Sequence, residues 1–481
     1  MSNNKIFEVD VKGLRQLQDG KPKWFIVREL LQNAMDENVT TIDIEMSYGY
    51  NYAEISVTDD SPIGFRDITD AYTLFKDTYK RADATRRGRF NFGEKQVLCM
   101  AKTATIETTT GSITFHVDEG FRTHSKVKRP VGSKVWVKVK MSKEDYLECC
   151  EYVKQIKPSY SMDIKVHVAG IEPFLLPRVA VHKQFSAKLL TELKQDDSMR
   201  RVQRETYIYL YNEPVKYLYE IGIPVCEIDC DYSIDVQQRV PLSNDRDTVD
   251  AKYLKTLYGE ILNQTIDEIT PEQSSSLWVR DGFTSDRTDK ETRQEIITKR
   301  FGDKALIANP MDKRSMDEAI SNNFNVVYGS EMSKEEWGMV RQDGLLVSTS
   351  SMFKTGIADG RTVRMEDLTP EQLKIAVFCK KVASEMLNLT ISVGFYDSPD
   401  ATVKADYSQE GKKLRFNVAH FTGQEWMPVN GRVATDMLDL IIHELGHSAG
   451  WHYEHSYHEC ITKLGAKLTI QALENPEWFN L

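Results

Sequence analysis

Five of the 10 histidines in this 481-residue chain fall within one stretch, Asp436 to Cys460, which reads DMLDLIIHELGHSAGWHYEHSYHEC. His443 and His447 frame Glu444 in an HExxH sequence, and the apolar run Leu438, Leu440, Ile441 and Ile442 before it predicts a buried helix ending near Gly450. Positions i and i+4 of a helix lie one turn apart on one face, so the two imidazoles can share a metal ion with Glu444 beside them. Zinc suits this donor set. It lowers the pKa of a bound water toward ~7 and polarises a carbonyl, leaving Glu444 to act as general base on that water. The chemistry implied is peptide-bond hydrolysis.

A catalytic zinc takes three protein ligands, and the third must come from beyond Gly450. His452, His455, His458 and Glu459 are available there, with His452 our first choice and His455 the second. The order departs from the metzincin pattern HExxHxxGxxH, because Tyr453 stands three residues after Gly450. It resembles instead the SprT type of zincin, in which a third histidine just after the turn opens a helix carrying an aromatic residue, here Tyr457. Upstream, Leu368–Leu387 predicts a helix started by Thr369-Pro370-Glu371, Leu389–Tyr396 a strand, and Ala405–Val418 a hairpin through Gly411. This order resembles the zincin metalloprotease layout, which implies an edge strand beside the cleft that pairs with extended substrate. His420 reads as a turn histidine.

A second constellation lies near the start of the chain. Within WFIVRELLQNAMDEN (Trp24–Asn38), Phe25, Ile26, Leu30, Leu31, Ala34 and Met35 predict a helix apolar on most sides, and Glu29, Asn33 and Asp36 form its one polar stripe. Val39–Met46 and Ala53–Asp59 alternate as strands, Asp60–Phe65 is a loop, and Thr103–Phe115 predicts a hairpin around Gly111. Between them, GRFNFGEK (Gly88–Lys95) opens a helix. Gly88 and Gly93 let backbone approach a phosphate closely, the helix start offers free N–H groups, and Lys95, Lys80 and Arg81 add positive charge.

These ordered motifs, over about residues 1–120, resemble the GHKL ATPase superfamily of gyrase, heat-shock-90 chaperones, histidine kinases and MutL. The resemblance implies a Bergerat-type α/β sandwich that binds ATP and Mg2+. On it, Glu29 orients the attacking water, Asn33 holds magnesium, and Asp36 supports the site from the same helix face. Asp59 accepts the adenine amino group, with Asp60 as the alternative. The loop departs from the superfamily's DxGxG, since Ser61 and Pro62 stand where glycine is usual and only Gly64 remains. Gly64, Gly88, Gly93 and Lys95 complete the implied nucleotide site, beneath a lid at about 73–88. Relatives in this superfamily commonly dimerise on binding ATP and carry a transducer domain whose loop reaches the γ-phosphate. Arg239, within Val236–Leu242, is the charge expected to do so here. Nothing resembles a Walker P-loop.

The readings combine into an α+β multidomain chain: a GHKL ATP-binding domain over 1–160, a transducer-like domain over 161–270, a small α/β connector over 271–364 and a zincin-like domain over 365–481. The connector follows the polar stretch Pro271–Asp281, alternates strand and helix, and is expected to carry no catalytic group. A net charge of -10 argues against general affinity for nucleic acid, although Lys80-Arg81 and Arg86-Arg87-Gly88-Arg89 make a local basic patch. The seven cysteines are odd in number and mostly set in apolar runs, which fits a reducing cytosol. With no apolar segment near about 18 residues long, a cytoplasmic protein without membrane contact is expected. The expected function is an ATP-regulated zinc metalloprotease acting on a protein or peptide and forming a homodimer with ATP. An ATP-driven clamp or chaperone with zinc as a structural staple is the alternative; there Glu444 has no role and several of His452, His455 and His458 share the metal. A DNA-repair ATPase, the third reading, is disfavoured by the acidic balance.

Overall fold

The structure is a computed structural model that describes residues 9–65, 67–77, 79–88, 91–195, 198–243, 248–353, 360–399, 401–421, 428–452 and 454–481. Arg89 of the basic patch and Tyr453 lie outside these residues. The chain divides into two compact units: Met1–Thr265 with Leu277–Thr288, and Ile266–Ser276 with Asp289–Leu481.

Alternation of side chains builds the first unit's main sheet. Strands β1 (Thr41–Gly49), β2 (Tyr52–Asp59), β3 (Ala101–Glu107), β4 (Ser112–His116), β5 (Phe121–Ser125), β6 (Lys134–Lys140), β7 (Asp163–Val168) and β8 (Phe174–Leu175) form an eight-stranded sheet in the order β5-β4-β3-β6-β2-β1-β7-β8. Every second residue, such as Ile42, Ile44 and Met46 on β1 and Ala53, Ile55 and Val57 on β2, is buried. Short α1 (Val11–Gln16) precedes α2 (Phe25–Met35), which packs with α3 (Gly93–Met100) and α4 (Lys143–Gln155) over that core. Helix α2 is buried on nearly every side, with Asn33 half-exposed. Residues 163–168, expected to open the second domain, instead extend the first sheet. β7 runs parallel to β1 with Ile42 opposite Ile164 and Ile44 opposite Val166, because its own alternation places Ile164, Val166 and Val168 in the same core.

The remainder of this unit is a five-stranded sheet of β9 (Lys183–Gln195), β10 (Ser198–Tyr211), β11 (Tyr217–Glu220), β12 (Ile223–Glu227) and β13 (Ser233–Val236), in the order β12-β11-β13-β10-β9. Helices α5 (Ala251–Thr265) and α6 (Leu277–Phe283) pack together beside it.

In the second unit, the parallel pair β14 (Ala305–Ile307) and β15 (Asn325–Val327) is accompanied by α7 (Lys290–Phe301), α8 (Lys313–Ser321), α9 (Lys334–Asp343) and α10 (Thr349–Met352). Leu306, Met316, Ala319, Val326 and Phe353 form a small core there. A four-stranded sheet follows, β16 (Arg361–Thr362), β17 (Ser392–Asp397), β18 (Ala405–Ser408) and β19 (Lys413–Asn417), in the order β16-β17-β19-β18. Helix α11 (Pro370–Leu387) starts with Thr369 accepting from the Gln372 N–H and Pro370 in the first turn, as its sequence predicts. Helix α12 (Thr435–Gly446) carries the histidines, buries Met437, Ile441 and Leu445, and runs beside the edge strand β18. Helix α13 (His455–Glu474) returns across it. Among the described residues no helix is long and apolar enough to cross a membrane.

The crossing of α12 and α13 depends on Gly446. A Cβ at this position would lie 2.5 Å from Ile461 Cγ2 and 2.7 Å from Tyr457 Cε2, closer than carbon atoms approach. Gly446→Ala is therefore expected to destabilise the protein by about 1–3 kcal/mol, the usual cost of overpacking. Denaturant unfolding measures this, and a stability equal to wild type would show that the crossing has slack.

Candidate functional site

Helix α12 presents His443 and His447 one turn apart, and the turn after Gly450 brings His452 back to them. One ring nitrogen from each lies within 4.8 Å of those of the other two. The Nε2 atoms of His443 and His452 are 3.2 Å apart. Two imidazole nitrogens facing one another at that distance are close to the spacing of neighbouring ligands on a tetrahedral ion with bonds of about 2.0–2.1 Å. The backing contacts fix which nitrogen is left over. His447 Nδ1 lies 3.2 Å from the Gly450 carbonyl, an acceptor, so Nδ1 carries the proton and Nε2 keeps its lone pair. His443 Nδ1 lies 3.3 Å from the Tyr457 hydroxyl, and Tyr457 is buried at the start of α13.

Desolvation keeps His443 and His447 uncharged. Burial, then the neighbouring His452 and His447, push the pKa of His443 down to about 3. Burial and His452 likewise move His447 downward. Neutral, converging imidazoles are the state a divalent metal requires, and the donor set fits zinc. Glu444 is buried alongside. Burial, followed by Asp406, Glu318 and Asp317, raises its pKa well above the usual carboxylate range, with Arg314 opposing. Among the other residues considered as ligands, His458 Nε2 is bound to the His452 carbonyl at 2.6 Å, Glu459 pairs with Lys463, and His455 is exposed. His420 bonds the Ala401 carbonyl.

The segment expected to carry no chemistry contributes to this site. From α8, Asp317 Oδ1 lies 3.1 Å from His452 Nδ1 and 3.4 Å from the His452 N–H nitrogen. Ser321 Oγ, one turn on, is 3.4 Å from Nε2 of both His443 and His452. Arg314 of the same helix reaches Asp406 on β18 at 3.5 Å, and Asp406 also holds Arg415 through two contacts of 3.0 and 2.6 Å. No local pattern in 313–321 signals this; only the tertiary fold brings the helix to the histidines.

At the first unit's polar stripe, Glu29 lies directly against Gly93. A Cβ built on Gly93 would fall 1.8 Å from Glu29 Oε2, so the glycine serves close packing of a carboxylate. Asn33 is half-buried one turn further on. Asp36 does more than support: Oδ1 accepts from the Arg87 N–H at 3.0 Å and its guanidinium at 2.7 Å, and Oδ2 accepts from the Gly88 N–H at 2.7 Å. Burial raises its pKa, but Arg87, Lys80 and those N–H groups outweigh it and hold the carboxylate below its ordinary range. Asp59 is buried, with Oδ1 accepting from the Ser61 N–H at 2.9 Å, whereas Asp60 is turned to Thr40, accepting from its N–H at 2.8 Å. Gly64 has φ +61, and Gly132 (φ +70), which the sequence did not single out, lets the Asp59 carbonyl approach where a Cβ would stand 1.7 Å away.

Two cations are placed otherwise than expected. Lys95 Nζ bonds the Asp70 carbonyl, Asn91 Oδ1 at 2.9 Å and Glu94 Oε2 at 3.3 Å, so its charge is spent on its own loop. Arg239 is fully buried and donates to the carbonyls of Lys80, Asp83, Arg86 and Gly88, as well as Glu192. It holds the segment before Gly88 by main-chain hydrogen bonds, because a planar guanidinium with five donors is matched by a cluster of carbonyls.

No protein-family model matches this chain, and no curated protein matches it, so the site is argued from its own geometry.

Burial raises the pKa of Asp59 to about 6 from 3.8. Between these values the folded protein binds the extra proton and the unfolded chain does not, so stability falls as pH rises through the window. Relative to Asp59→Asn, wild type is expected to lose about 3 kcal/mol between about pH 4 and 6 and then level off. Denaturant midpoints of both proteins across pH check this; a pH-independent difference would contradict it.

Proposed function

We propose that this chain is a zinc metallopeptidase whose C-terminal unit hydrolyses a protein or peptide, gated by ATP and Mg2+ bound to a GHKL-type module in its N-terminal unit. The carrying observation is the convergence of three imidazoles, His443, His447 and His452, with the buried carboxylate of Glu444 beside them. Zinc held there supplies a Lewis acid and brings a water's pKa toward ~7. Glu444 accepts the proton of the attacking water and delivers it to the leaving amine; a carboxylate whose pKa is raised by burial is a stronger base for the first transfer. Strand β18 is a sheet edge beside α12, the kind of edge that pairs with an extended substrate. That His455, His458 and Glu459 are engaged or turned elsewhere supports an open three-ligand site over a closed structural one.

The nucleotide half of the reading is supported by Asp59, a buried carboxylate beside the Gly64 and Gly132 turns, and by Glu29 against Gly93 at the start of α3. Arg239 ties the lid segment to the five-stranded sheet, giving nucleotide-dependent lid movement a mechanical outlet. ATP gates cleavage, and favours a homodimer, only insofar as it binds two states with different affinity. If a nonhydrolysable ATP analogue changes neither cleavage rate nor oligomeric state, the gating is wrong.

The peptidase reading is tested with wild type, His452→Ala and Glu444→Gln, measuring bound metal by elemental mass spectrometry and cleavage on a peptide library. Wild type should bind one zinc and cleave. His452→Ala should lose both, and Glu444→Gln should keep zinc while losing at least about 100-fold in rate, the scale of general acid–base catalysis. A Glu444→Gln protein as active as wild type would exclude the mechanism.

A further inference from the structure

We propose that Asp317, on helix α8, is a positioning residue of the metal centre, fixing the ring of His452 so that its Nε2 faces His443. This rests on the metal-site reading above. Asp317 is buried, and its Oδ1 lies 3.1 Å from His452 Nδ1. Helix α8 already has its cap in Asp312, whose side chain accepts from the Ser315 N–H, so Asp317 is not needed to start the helix. Its Oδ2 has no hydrogen-bond partner, and neither does His452 Nδ1, whose approach to Oδ1 falls short of hydrogen-bond alignment. A buried carboxylate left this poorly satisfied destabilises a fold. The one ionic partner Asp317 has among the described residues is the candidate ligand His452.

Two half-satisfied groups that face one another need a reason to stay, and metal binding supplies one. A ligating histidine gains basicity and a fixed tautomer when its second nitrogen donates to a carboxylate. With the Asp317 carboxylate 3.1 Å from Nδ1, a proton is favoured on that nitrogen, and the lone pair is left on Nε2, the atom 3.2 Å from His443 Nε2. Ser321, one turn along α8, lines the same nitrogens at 3.4 Å, so this helix face is registered to the site by two side chains. The metal domain alone is therefore incomplete: a helix from the preceding segment completes it.

The test uses full-length protein, stripped of metal and titrated with zinc against a chromophoric chelator, for wild type and Asp317→Asn. Asp317→Asn is expected to weaken zinc binding 10- to 100-fold, the range for loss of such partners. It is also expected to leave the metal-free protein at least as stable as wild type, since a poorly satisfied buried charge is removed. A merely structural role predicts the reverse, an apo protein of lower melting temperature. Zinc affinity within about twofold of wild type would overturn the positioning role and leave the metal site standing, whereas a wild type that binds no zinc would overturn both. Should Asp317→Asn fail to fold, long-range 1H–15N spectra of zinc-loaded wild type with labelled histidine decide: His452 protonated at Nδ1 supports the proposal, and protonation at Nε2 overturns it.

Discussion

The second unit depends on the burial of polar side chains on α12. One face of that helix carries Met437, Ile441 and Leu445 into a continuous apolar core, and this anchoring holds His443, His447 and Glu444 out of water. Removing a polar group from solvent without full hydrogen bonding costs about 1–3 kcal/mol, so the cluster is retained at the expense of stability. Desolvation also sets the chemistry. It keeps His443 and His447 neutral, leaving nitrogen lone pairs for a cation, and it raises the pKa of the Glu444 carboxyl, which strengthens it as a base.

Missing side chains do as much as present ones. Gly446 lets α13 bring Tyr457 against the histidines, Gly93 lets Glu29 lie on the start of α3, and Gly132 lets the Asp59 carbonyl come close. In each case the space a Cβ would fill is taken by an atom of a residue distant in sequence or on the crossing helix. The cationic residues of the first unit act mainly as braces. Arg87 joins Asp36 to the Glu220 and Ile221 carbonyls, and Arg239 gathers the carbonyls before Gly88. This makes 80–88 an element held from both sides, by α2 and by the five-stranded sheet.

Much of this was legible in the sequence because it is local. HExxH on an amphipathic run specifies two imidazoles on one helix face, and the alternation in β1 and β2 specifies which residues enter the core. That a nearby histidine turns back to the pair is likewise a short-range matter, nine residues from His443 to His452. What was not legible involves long-range partners. Asp317 meets His452 across 135 residues, and nothing in α8 distinguishes its aspartate from a solvated one. Lys95 and Arg239, expected to bring charge to a phosphate, bond main-chain carbonyls in the fold, and a sequence does not display where carbonyls cluster. Strand β7, expected to open a second domain, extends the first sheet, because parallel pairing with β1 leaves no turn signal between the partners.

Three imidazoles and no thiolate holding one zinc ion, as proposed, would leave a distinct signature in X-ray absorption at the zinc edge of the loaded full-length protein. A first shell of nitrogen and oxygen at about 2.0–2.1 Å with outer-shell scattering from three imidazoles is expected. A sulfur shell near about 2.3 Å, or four imidazoles, would contradict it, as would a protein that retains no zinc.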